Sequence, residues 1–151
     1  MSHDRSGDEI DERATYYHGI ELFNERDFFE AHEVWEDVWR MAYGLKHTFY
    51  QGMIQCAVAL EHYKRSNPRG VLTLFENYNK KFVRVPPIFM GVDVKKFLVQ
   101  MHESLRPVLE AKPVPEKGTI RLDYSCLPTI ELLYDPFATG EADKYSKPER
   151  F

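Results

Sequence analysis

Apolar residues recur at helical spacing along most of this chain, and residues that cap or break helices separate the periodic stretches. Tyr16 or Tyr17, Ile20 and Phe23 predict a first helix from Arg13 to about Asn24. Asn24-Glu25-Arg26-Asp27 reads as a turn. Asp27 suits the N-cap of a second helix, Phe28 to about Tyr43, and Asp27-x-x-Glu30 resembles a capping box. Gly44 stands where a C′ residue would end it. A third helix, Lys46 to about Ser66, carries Phe49, Met53, Cys56, Leu60 and Tyr63 in steps of four and three. Ile54, Ala57 and Val58 make its middle apolar nearly all round, which marks a central helix. Asn67-Pro68 is a strong start signal for a fourth helix reaching about Phe82, with Val71, Leu74 or Phe75, Tyr78 and Phe82 inward. Pro86-Pro87 breaks the chain, and a fifth helix, Val94 to Glu110, turns Phe97, Met101, Leu105 and Val108 to one side. Pro107 kinks or shortens its end.

The remainder, from Lys112 to Phe151, contains prolines and little periodicity; Ile120, Leu122 and Leu127 to Leu133 suit extended docking segments. No two adjacent strand patterns appear. The reading is an all-α, single-domain bundle of about five helices with an irregular, Pro-containing C-terminal tail. A disordered leader (1–12), a helical domain (13–111) and a tail (112–151) disordered from about Gly140 complete the organisation.

Composition narrows the function classes. The 151 residues suit one domain, and ten Phe, nine Tyr and two Trp exclude a disordered composition. A net charge of −4 argues against sequence-independent nucleic-acid binding, which needs a basic surface. The longest apolar run, Cys56 to Leu60, is too short to span a bilayer, and Met1 to Glu12 lacks the apolar core of a signal peptide. Two cysteines without a CxxC pair make a reducing, cytoplasmic compartment the expectation.

Candidate chemistry lies on the second helix, in Glu30-Ala31-His32-Glu33-Val34-Trp35-Glu36-Asp37-Val38-Trp39. His32 and Glu36, four apart, share a face with Phe29 and Trp39, and apolar neighbours point that face inward. Glu33, Asp37 and Arg40 make a solvated face, and Trp35 and Trp39 read as core. His47 and His102 read as solvated. On the third helix, Gln51, Gln55, Val58 and His62 form a polar stripe. Packed as a hairpin, the two helices bring it towards His32 and Glu36.

Three readings of this set stay open. One is a buried polar network that holds the helix pair in register. A second is a divalent-metal site with His32, Glu36 and His62 as ligands and no cofactor otherwise implied. The third is a metal-free small-molecule site with His32, Glu36 and Glu33 as acid/base groups and Gln51, Gln55 and Trp39 as binding groups. His32 to Glu36 also spells HExxE, a poor relative of the zinc-peptidase HExxH. A ferritin-like di-iron site fits badly, because Phe29 and Ala59 stand where each Glu-x-x-His pair needs glutamate.

The ordered blocks Gly19-x-x-Leu22-Phe23-Asn24, Phe28-Phe29-Glu30-Ala31-His32-Glu33-x-x-Glu36-x-x-Trp39, Phe49-x-Gln51-Gly52-x-Ile54-Gln55, His62, Asn67-Pro68-Arg69-Gly70 and Gly91-Val92-Asp93 resemble domain-of-unknown-function family 309. The resemblance runs from Gly19 to Leu105 and implies a small helical fold with the histidine-carboxylate helix at its centre. It implies no reaction, substrate or cofactor. His32, Glu33, Glu36, Trp39, Gln51, Gln55 and His62 match its pattern positions. A non-catalytic helical interaction module is the alternative to a ligand or hydrolytic site, and a homo-oligomer is compatible with either.

Overall fold

In the computed structural model, residues 10–145 are described. The leader before Ile10 and the end after Tyr145 lie outside them. Five helices carry the fold: α1 (Glu12–Asn24), α2 (Phe28–Met41), α3 (Gly44–Lys64), α4 (Pro68–Phe82) and α5 (Val94–Leu109). Each of the first four packs on the next, and α5 closes against α4 and α3. The central helix is α3, flanked by α2 and α4, as its nearly all-round apolar middle predicts. No described helix is long and apolar enough to cross a membrane.

Local chemistry explains the boundaries. Asp11, Asp27, Asn67 and Asp93 each cap a helix by accepting a backbone N–H three residues on. The α2–α3 connection falls two residues earlier than the sequence suggests. Ala42 and Tyr43 are extended, so α2 stops at Met41, and Gly44, at φ 59°, begins α3 instead of ending α2. Pro107 sits in the last turn of α5, where the helix survives to Leu109.

Packing follows the predicted stripes. Trp35 is fully buried and donates its indole N–H to the Tyr16 carbonyl at 3.2 Å. Its ring lies over Gly19, where a Cβ would come within 2.0 Å of Nε1. Phe23 stacks on Trp35 and touches Phe28 and Phe97, joining α1, α2 and α5 in one aromatic core.

Two features depart from the sequence reading. A two-residue antiparallel pair, β1 (Ile88–Phe89) with β2 (Val92–Asp93), joins α4 to α5. Its turn residues Met90 and Gly91 both have positive φ, the tight turn that suits a hairpin's twist. The strands were illegible because two residues show no alternation. The tail, too, is held tightly. Asn24 bonds both backbone groups of Ile130 at 2.9 Å, and Arg26 reaches the Pro128 carbonyl at 2.6 Å. Asp135 accepts from Tyr17 and Arg13. Ala142, in a segment expected to be disordered, is buried in a short 3-10 turn (Ala142–Tyr145).

Candidate functional site

The inner side of α2 is taken by Phe28, Ala31, Trp35 and Val38. Its His32–Glu36 row is therefore turned about a quarter of a turn away from the core, to a half-buried face. The His32 and Glu36 side chains are 20% and 33% exposed. Phe29, 42% exposed, sets its ring edge-on to His32 at 5.1 Å and lies under the Arg65 guanidinium.

His32 Nδ1 lies 2.7 Å from the Phe29 carbonyl oxygen, which can only accept. That fixes the proton of the neutral ring on Nδ1 and leaves Nε2 bare. Nε2 faces Glu36 Oε1 across 3.7 Å, longer than a hydrogen bond. Glu36 Oε2 is 3.9 Å from Arg40. Arg40 also meets Asp37 at 3.6 Å, and the Asp37 side chain, expected in solvent, is only 12% exposed. Glu33 is exposed and stands apart from this contact.

Trp39 is half-buried instead of core, and its indole stacks on His47 with centroids 5.1 Å apart. His47, expected in solvent, thus closes the hairpin, and burial followed by the nearby Lys81 charge lowers its pKa. From this contact the antiparallel register puts Gln51 level with Glu36 and Gln55 level with His32. Trp39 Nε1 and Gln55 Oε1 are buried without a hydrogen-bond partner among the described residues.

His62 goes elsewhere. Its Nδ1 takes a hydrogen bond from the Asn67 amide at 3.0 Å, while Asn67 Oδ1 caps Gly70 N. The ring lies where a Cβ on Gly70 would come within 2.5 Å, so Gly70 makes room for it. Burial, and then Arg65, lower the His62 pKa, opposed by Glu61. His62 therefore faces α4. Gln55, seven residues earlier, lies within about 20° of the same direction. The polar stripe straddles the crest of α3, with Gln51 between the α2 side and the α4 side. Among the described residues no group of three His, Cys, Asp or Glu side chains stands where it could hold a metal ion. His32 and Glu36 meet, and His62 does not join them.

A second polar cluster has no counterpart in the sequence reading. Lys46 is buried, with Nζ on Glu12 Oε2 at 2.7 Å and on the Ala142 carbonyl at 2.8 Å. Tyr50 donates to the same carboxylate at 2.6 Å. Lys46 stands beside the apolar stripe of α3 and three before Phe49, but its partners come from α1 and the tail, which local spacing cannot reveal.

Residues 16–74 match a family model described as "Domain of unknown function (DUF309)". The likeness read above from the ordered motifs holds over that segment, which contains His32, Glu36, Gln51, Gln55 and His62. An "Uncharacterized protein" of Aquifex aeolicus (strain VF5) is 27% identical over 84 residues, 55% of this chain and 25% of the relative. The "Uncharacterized protein YpuF" of Bacillus subtilis (strain 168) is 39% identical over 59 residues, 38% of this chain and 34% of the relative. The matched stretches thus span about a quarter and a third of the curated relatives' length.

Proposed function

We propose that this chain, which resembles a family without an assigned activity, binds a small cationic hydrogen-bond donor on the open face of α2 and α3. The observation that carries this reading is the 3.7 Å gap between His32 Nε2 and Glu36 Oε1. Both atoms are acceptors when the ring is neutral, because its one proton is committed to Phe29. An ammonium or guanidinium placed between them satisfies both with charge-assisted bonds. The local charge favours a cation, since α2 carries four carboxylates against one arginine. Phe29 supplies a half-exposed aromatic edge to the same face. Two protein donors are fewer than the four ligands of a structural zinc site, so an organic cation suits the pair better than a metal.

Calorimetric titration with agmatine, a guanidinium and an amine without an acid group, tests this. One saturable site is expected. Glu36→Gln should weaken it at least tenfold, the loss of about 1.5–3 kcal/mol that removing a charge-assisted bond brings. A far-ultraviolet spectrum unchanged by the substitution confirms the fold. Absence of binding at millimolar agmatine, or affinity unchanged in Glu36→Gln, refutes the reading.

A further inference from the structure

We propose that the closed end of the same face holds an anion subsite built by Trp39, His47 and Lys81, so that the ligand is a zwitterion with its carboxylate or phosphate there. This rests on the cation reading above for the other end of the ligand.

The three side chains come from three helices, and each offers a donor that has no acceptor among the described residues. Trp39 Nε1 is buried and has no acceptor among the described residues. An indole N–H can only donate, and burying it unpaired is costly. His47 lies flat against that indole, and its ring nitrogens have no hydrogen-bond partner among the described residues. Lys81 is half-buried and makes no ion pair among the described residues, whereas its neighbour Lys80 is paired with Glu76.

The packing of α4 on α3 brings Lys81 to this end. Gly70 touches His62 at one end, and Phe82 packs over Gly52 nearer the other. Gly70, Leu74, Asn77 and Lys81 follow steps of four, three and four, so they share the side of α4 that faces the crest of α3. Phe82 over Gly52 sets Lys81 about one turn from His47, a gap its long side chain can bridge, and its charge bears on the His47 ring. The first turn of α3 has no side-chain cap, and its free amides add positive potential near His47, the fourth residue of the helix. Of the acidic groups nearby, Asp37 is paired with Arg40, and Glu36 belongs to the cation end of the face.

The two subsites are close. Trp39 follows Glu36 by three residues, about 4.5 Å along α2. A compound of amino-acid size therefore spans them.

The test separates the two ends. With only two tryptophans, the Trp39 indole N–H resonance is assigned by its loss in Trp39→Phe, and Trp35, bonded to Tyr16, serves as an internal control. At constant ionic strength, inorganic phosphate and acetate are titrated separately. Either one is expected to move the Trp39 resonance saturably and leave Trp35 in place, and their relative affinities tell phosphate from carboxylate. Arginine should bind at least fivefold tighter than agmatine, and Lys81→Gln or Trp39→Phe should erase that ratio, whereas Glu36→Gln should weaken both ligands. A Trp39 resonance unmoved by both anions, or equal binding of arginine and agmatine, overturns the anion subsite. Anion binding without agmatine binding overturns the cation reading and the zwitterion with it, and leaves the anion subsite standing.

Discussion

The histidines of this protein are set apart by which atom their neighbours leave available. At His32 a carbonyl claims Nδ1, so the bare nitrogen points at a carboxylate. At His62 an amide donates to Nδ1, so the proton of that ring sits on Nε2. The same Asn67 amide cannot donate to His62 and cap Gly70 in any other orientation. A proton on Nδ1 of His62 would thus meet an N–H, and the cap would be strained. Burial lowers the pKa of both His47 and His62 below the ordinary 6.5. The neutral forms are favoured by folding. Their stabilisation is complete above about pH 6.5 and is withdrawn as pH falls from there through the depressed folded values. Urea midpoints should therefore fall between about pH 7 and about pH 5, and His62→Gln should flatten part of that slope. The candidate pair itself was legible, since four-residue spacing puts His32 beside Glu36. The tautomer was not, because it depends on a backbone oxygen.

Helices in this chain are placed by close approaches at small residues. Gly19 lets Trp35 of α2 lie against the backbone of α1. Gly19→Ala improves helix propensity yet inserts a Cβ 2.0 Å from the indole nitrogen. The expected outcome is a loss of about 1–3 kcal/mol in chemical denaturation, with Trp35 fluorescence altered in the native state. Cap residues such as Asn67-Pro68 announced the element starts in the sequence, because capping is local chemistry. The rotation of α2 was less legible. Trp35 and Trp39 are four apart and both apolar, but the wall of α1 takes Trp35 and leaves Trp39 to His47.

At the scale of the molecule, the tail is part of the fold. Its Ile130 and Asp135 are bonded by Asn24 and Tyr17 of α1, its Pro128 by Arg26 just beyond, and its Ala142 lies on the buried Lys46. Lys46 gives donors to both Glu12 oxygens and to Ala142, which accounts for its burial as a charge. Removing one partner leaves that charge uncompensated. Glu12→Gln should cost about 3 kcal/mol and make the segment after Lys112 more susceptible to protease. Protease sites that stay protected in Glu12→Gln would show that the clasp does not hold the tail.

By itself the sequence determined the five helices, the central place of α3, and the pairing of His32 with Glu36, because periodicity, caps and four-residue spacing are properties of a single helix. Only the tertiary structure decided what those residues meet. It turned the His32–Glu36 row half out of the core and sent His62 to the start of α4, because rotation about a helix axis is settled by the neighbour's surface. It also joined Lys46 to Glu12 and Trp39 to His47 across connections that no local pattern spans.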